Sequence, residues 1–267
     1  MKEMLDISYG QLTAAYLLLL FPFGIMLFHR MTLLRQTVLA ILRMTVQLLF
    51  VGFYLQVVFR LNNPWLNLAW LMVMVAVADG SIIRGCGLQV RRFLAPMFLA
   101  LVIGTLIPVI VFMGPVLRRP NWLDAQYVIP LWGMILGNCL RADIIGLKNF
   151  YEAIARNERR YHFSLTQGAR LQEAIEPYCH DAIQSALLPT IATMTTIGLV
   201  SLPGMMTGVI LAGAQPMTAI KYQIAIMIAI FSGTALTVFL GIRLTLRTSF
   251  DAYGLLDERI FTRPFKG

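Results

Sequence analysis

The sequence predicts an all-α integral membrane protein with about seven transmembrane helices. Three observations carry this. Mean hydropathy is +0.72. Hydrophobic residues make up 58% of the 267 and charged residues only 13%, where a soluble domain carries about 25% charged. Several apolar runs approach the ~20 residues that cross ~30 Å of hydrocarbon. The length suits a single transmembrane domain over 1–267, with no room for a separate soluble one.

The apolar runs place the spans at about 12–28, 38–59, 65–78 (reaching 83 if extended), 93–112, 127–145, 187–212 and 220–245. Lys2, Glu3 and Asp6 precede the first span without a small-residue cleavage site, so it reads as a retained helix. Arg30, Arg35, Arg84, Arg91, Arg92, Arg141, Lys148, Arg156, Arg159, Arg160, Arg170, Arg243, Arg247, Arg259, Arg263 and Lys266 fall on one side, with Arg43 just inside the second span. The other side holds Lys2, Arg60, Arg118, Arg119 and Lys221. Cytosolic loops carry the excess of Lys and Arg, so the N-terminus faces out and the C-terminus faces the cytosol. The formal charge of +9 belongs to these flanks, and no basic, aromatic-interleaved stretch supports nucleic-acid binding. Cys86, Cys139 and Cys179 are too few for a disulfide framework.

Residues 148–185 form the long polar stretch. They read as a cytosolic helical hairpin between spans five and six, with a connector at 162–168 and i,i+4 charge pairs. No phosphate-binding G-x-x-x-x-G-K-[ST] loop, H-E-x-x-H, C-x-x-C or G-x-S-x-G occurs. Any ATP hydrolysis must therefore come from another polypeptide, and no enzyme chemistry is assigned to this chain.

Span six is the least ordinary element. Ile197-Gly-Leu-Val-Ser-Leu-Pro-Gly-Met-Met-Thr-Gly208 is apolar enough for a bilayer, yet Pro203 and Gly204 interrupt it. Lipid tolerates irregular backbone only where protein covers it or it lines a cavity, and transporters build pathways from such breaks. Met205 and Met206 follow, with thioethers suited to soft metals or to packing. Thr195, Thr196, Ser201 and Thr207 supply hydroxyls to the pathway or to their own helix backbone. Gly204–Gly208 and Gly133–Gly137 are GxxxG pairs that permit close helix approach. Asn138 inside span five faces the pathway or bonds a neighbouring helix. Asp143 pairs at the interface with Arg141 or Lys148. Arg43 and Gln47 share one face of span two, Arg43 snorkelling toward headgroups and Gln47 facing other helices. Cys179-His180-Asp181 point in different directions on a helix and make no metal site alone.

Thr196-Ile-Gly-Leu-Val-Ser-Leu-Pro-Gly-Met-Met-Thr-Gly208 resembles the FetB-like (YbbM-like) permeases of iron-export ABC transporters, which are related to plant aluminium-tolerance membrane proteins. Leu211-Ala-Gly213, Pro216, Ala219-Ile-Lys-Tyr-Gln223 and Ala186-Leu-Leu-Pro-Thr190 continue the likeness. So do Gly133-Met-Ile-x-Gly-Asn138, Leu165-x-x-Gly-Ala169 and Arg43-x-x-x-Gln-Leu48 with Val51-Gly52. Two places depart from the pattern. Ala192 stands where the family often has Asn or Asp, and Gln167 where Leu precedes the glycine of the coupling turn.

The resemblance implies an ABC-exporter permease in the inner (plasma) membrane. It would act as a homodimer with two copies of a separate ATPase that carries ATP and magnesium, this chain holding no cofactor. The cargo would be iron, another metal ion or a metal chelate. The pathway residues expected are Gln47, Asn138, Thr196, Ser201, Pro203, Gly204, Met205 and Met206. Those of ATPase coupling are Glu158, Leu165, Gly168 and Ala169. The alternative is an ion-coupled secondary transporter acting alone, with Asp79 and Asp143 as its carboxylates.

Overall fold

The computed structural model describes residues 8–118, 121–251 and 253–262, the side chain of Tyr9 excepted. Lys2, Arg119, Arg263 and Lys266 of the topology argument lie outside the described residues. The described residues are predominantly helical. In order come α1 (Tyr9–Tyr16), α2 (Leu20–Phe28), α3 (Leu34–Leu61), α4 (Pro64–Gly85) and α5 (Val90–Val111). Then follow α6 (Ala125–Arg156), α7 (Glu158–Thr166), α8 (Leu171–Thr196), α9 (Gly204–Leu211) and α10 (Pro216–Ser249).

Local chemistry sets these boundaries. Ser8 caps α1 through a reciprocal hydrogen-bond pair with Gln11. Pro22 lacks an N–H and crowds the preceding turn, and a 3-10 turn at Leu17–Leu19 joins α1 to α2 there. Asn62 adopts a left-handed conformation (φ 37°) to end α3. Asn63 then caps α4 by accepting the Trp65 N–H at 3.0 Å, with Pro64 in the first helical position. Asp124 caps α6 in the same way, through the Gln126 N–H.

Six helical stretches among the described residues are long and apolar enough to cross a membrane: Gly10–Phe28, Leu34–Leu61, Pro64–Gly85, Val90–Val116, Ala125–Arg156 and Pro216–Ser249. They coincide with six of the seven expected spans. The remaining one, 187–212, is divided: α8 stops at Thr196 and α9 starts at Gly204.

Two boundaries differ from expectation. Span five does not end at 145 but runs on as one helix to Arg156, held by Glu152 between Lys148 (3.8 Å) and Arg156 (2.9 Å). The hairpin connector is not at 162–168 but at residues 167–170. His162 stays helical, lying 3.9 Å from Glu158 one turn back, and the chain turns where Gly168 supplies φ +90°.

The core lies where α5, α6 and α10 meet, flanked by α4 and α8. Backbones approach closely there because glycine faces a bulky neighbour. A Cβ on Gly104 would sit 2.9 Å from the Thr237 backbone nitrogen. One on Gly146 would meet Val238 Cγ1 at 2.8 Å, and one on Gly233 would meet Ile135 Cγ2 at 2.9 Å. Small residues at helix contacts are how membrane helices gain van der Waals contact without help from the hydrophobic effect. Tyr151 crosses this core, its hydroxyl hydrogen-bonded to Thr245 (2.7 Å) and Ser249 (2.8 Å). By contrast α1–α3 stand almost apart, with Val58 the buried residue of α3.

The segment after α10 straps the hairpin side together. Arg92, at the start of α5, meets the Asp257 carboxylate at 2.6 Å. The Gln89 N–H donates to the Ile260 carbonyl at 2.8 Å and the Thr262 N–H to the Gly87 carbonyl at 2.8 Å. The buried Tyr161 hydroxyl of α7 donates to the Gly254 carbonyl.

The Arg92 guanidinium, followed by the Arg259 backbone N–H, holds the Asp257 carboxyl below its ordinary value. A depressed folded-state value means that this contact supports the strap above the ordinary carboxylate value of about 3.9. The support is lost as pH falls through the lower folded-state value. Protection of the amides in residues 257–262, taken relative to their intrinsic exchange rates, is therefore expected to fall on acidification below about pH 4. In Arg92→Gln it should already be lower at neutral pH. Equal exchange in the two proteins at pH 7 would contradict this.

Candidate functional site

The interruption between α8 and α9 spans residues 197–203, upstream of the expected break at Pro203–Gly204. Proline explains the offset. It disfavours helix at the residue before it and lacks the N–H that a continuing helix needs, so the unwinding falls on its N-terminal side. Downstream, Pro203 becomes the cap of α9 and Gly204 its first residue. Within the break Gly198 adopts φ +87°. Its N–H donates to the Ser201 carbonyl at 2.9 Å, closing a tight loop. Leu199 and Val200 at its tip are 92% and 81% exposed, as suits side chains facing lipid.

Behind this loop lies a half-open pocket of about 500 Å³, within the range of small-ligand sites. Helix α6 lines it with Met134, Asn138 and Arg141, and α8 with Pro189, Thr190 and Thr193. The break and α9 add Ser201, Leu202, Pro203, Gly204 and Met205. Helix α10 closes it with Gln223 and Met227. Three parts of the chain far apart in sequence (α6, the α8–α9 region and α10) thus converge on one hollow, largely apolar with a few polar groups.

Of the expected pathway residues, Asn138, Ser201, Pro203, Gly204 and Met205 come together here. Asn138 also donates to the Met134 carbonyl of its own helix at 2.8 Å, so both readings of it hold. Three do not join. Thr196 turns back on its helix, bonding the Ala192 carbonyl at 3.1 Å. Met206 is buried and lines a second, adjoining apolar groove against α10. Gln47 lies exposed on α3, away from the pocket. Adjacent positions at a helix start face different ways, which separates Met205 from Met206.

Sequence reasoning missed Arg141, Gln223, Thr190 and Thr193 as pocket residues. Arg141 was read as a topology charge. Gln223 sits inside an apolar span, and that was the available signal. Asp79 and Asp143 are fully buried among α4–α6, and neither lines the pocket. Asp143 does not make the expected pair with Arg141 or Lys148, its carboxylate oxygens having no hydrogen-bond partner among the described residues. Among the described residues no three His, Cys, Asp or Glu side chains gather as a metal site. Cys179 is half-buried while His180 and Asp181 are exposed, and burial pushes its thiol up to about 11 against the pull of Arg243.

The residues expected to couple to an ATPase lie in the hairpin. Leu165, Gly168 and Ala169 form its turn, where the Gly168 N–H donates to the Leu165 carbonyl at 3.0 Å and the Ala169 N–H to the Ser164 carbonyl at 3.2 Å. Glu158 sits at the far end of α7, about 15 Å of helix from the turn.

Fold and site together define a multi-span α-helical membrane protein with a hollow at a broken helix. The chain belongs to the Uncharacterised protein family UPF0014, whose profile matches residues 9–250. It is 37% identical over 188 residues to the UPF0014 membrane protein slr1647 of Synechocystis sp., covering 70% of this chain and 73% of that one. It is 30% identical over 212 residues to the "Probable iron export permease protein FetB" of Escherichia coli, covering 79% and 80%. It is 31% identical over 196 residues to "Protein ALUMINUM SENSITIVE 3" of Arabidopsis thaliana, covering 72% and 69%. No solved structure matches the chain.

Proposed function

We propose that this chain is the membrane-spanning permease subunit of an ATP-driven exporter in the plasma (inner) membrane, moving iron or another metal species. It would work as a homodimer served by two copies of a separate ATPase that binds ATP and magnesium. One observation carries this: α8 is a single helix from the Gly168 turn to the break beside the pocket. Its 26 residues, with Pro177 and Pro189 inside the helix, span about 39 Å. A push on the exposed turn by a partner would pass along this helix to the loop at 197–203. That is the linkage an ATPase needs to reshape a cargo site without touching it.

The likeness to FetB over four-fifths of both chains supports the export reading and the metal cargo. The Gln47 amide supports the homodimer. It lies midway along α3, exposed and without a hydrogen-bond partner among the described residues, and an amide at membrane depth needs one. The sealed positions of Asp79 and Asp143 weigh against an ion-coupled carrier, whose coupling carboxylate must reach the substrate site.

The test is co-expression with an ABC ATPase of the same organism, purification through a tag on this chain, and reconstitution in liposomes. The expected result is an ATPase co-purifying in a two-to-two complex, with hydrolysis stimulated by iron. If no ATPase associates, the reading fails.

A further inference from the structure

The pocket contains no acidic side chain, which is the wrong lining for a bare di- or trivalent metal ion. Hard cations take carboxylate and carbonyl oxygens, and borderline ones take imidazole or thiolate. Three thioethers (Met134, Met205 and Met227) are poor substitutes for either. What the pocket does contain is positive. Arg141 lies exposed along its α6 wall with no ion-pair or hydrogen-bond partner among the described residues, so its charge is uncommitted. The lining also includes the N-terminus of α9, with Gly204 and Met205 and no side-chain cap. Helix N-termini present free N–H groups and partial positive charge.

A second observation points independently to a ligand. Gln223 is only 8% exposed, lines the pocket, and makes no hydrogen bond among the described residues. Its amide thus keeps both N–H donors and its carbonyl for whatever enters the hollow. The hydroxyls of Thr190 and Ser201 face the same hollow, likewise without hydrogen bonds among the described residues.

We infer that the pocket takes an anionic, oxygen-rich small molecule, either a metal held in a polycarboxylate or phosphate shell or the free anion, and not a naked metal cation. Arg141 supplies the counter-charge, Gln223 and the start of α9 supply N–H donors, and the metal travels inside its own ligand shell. This rests on the pocket being the cargo site. It differs from export of bare iron in which species the protein recognises.

The test is equilibrium binding to the purified chain in nanodiscs, without ATPase, so that failure of the partner assignment leaves it untouched. Four probes are used: ferric citrate, citrate alone, inorganic phosphate, and ferrous iron under reductant. Ferric citrate or one of the free anions is expected to saturate a site. That binding should fall roughly tenfold to a hundredfold in Arg141→Gln, the scale of one lost charge-assisted contact, and be largely retained in Arg141→Lys. Gln223→Glu, which places a negative charge in the pocket, should weaken it comparably. Arg141 packs on nothing the core requires, so the variant folds, and unchanged thermal unfolding checks this. Comparison of ferric citrate with the two free anions tells a metal complex from a metal-free anion. Saturable ferrous binding indifferent to Arg141 would overturn the inference, as would failure of ferric citrate, citrate and phosphate all to bind.

Discussion

Replacing Gly104 with alanine is expected to destabilise the protein by about 1–3 kcal/mol, the usual cost of overpacking a tight core. The added methyl would stand 2.5 Å from Thr237 Cγ2, 2.9 Å from the Thr237 nitrogen and 3.0 Å from its Cα. Two of these atoms are helix backbone, so α5 and α10 must move apart rather than a side chain swing aside. Gly104→Leu should leave no folded protein. Gly137→Ala is the matched control. It lies on the neighbouring helix in a more conspicuous motif, yet nothing stands within 4 Å of its added carbon. Thermal unfolding in one detergent should show a clear loss for Gly104→Ala and almost none for Gly137→Ala. Equal shifts would mean that the α5–α10 contact is not the seam that holds the fold.

The second large effect concerns the hairpin turn. Gly168 has φ +90° with empty space around it, so a substitution there meets strain in the backbone and no clash. Valine, β-branched, is poorly tolerated at positive φ, and such strain is worth about 1–3 kcal/mol. The turn relieves it by changing shape, while the core is not touched. Gly168→Val is therefore expected to cost no more stability than that strain, with the close-packed core intact, and to lower ATP-driven transport by tenfold or more. ATPase association and iron flux in liposomes read this directly. Transport at the unaltered rate would remove the turn from the coupling route.

The membrane class, six of the spans and the hairpin were legible because they rest on local signals: apolar runs, flanking arginines and one polar stretch. Pro203 and Gly204 likewise announced a break, since proline's constraint is written into a single residue. Its position slipped upstream because proline acts backwards along the chain. The pocket was half legible. Asn138, Ser201 and Met205 were found as polar or soft residues in apolar surroundings. Arg141 was absorbed by the positive-inside count, and the same residue type serves topology and recognition alike. Met206 and Thr196 went astray because rotation about a short helix after a loop is set by tertiary packing. The close-packed glycines were missed for the same reason. Gly104, Gly146 and Gly233 carry no motif, whereas the two GxxxG pairs drew notice although Gly137, Gly204 and Gly208 meet nothing in the chain itself.

The strap after α10 has a consequence in time. Its hydrogen bond from the Thr262 hydroxyl to Gly87 joins residues 175 positions apart. At a synthesis rate of about 5–20 residues per second, the α4–α5 connection waits roughly 10–35 s for its partner to emerge from the ribosome. During that interval α4 and α5 are already in the membrane, while the Gln89 N–H and the Gly87 carbonyl stand open. The hairpin side of the molecule is the last part to be completed, and a nascent chain stalled short of residue 262 would hold its helices in place with that side still unlatched.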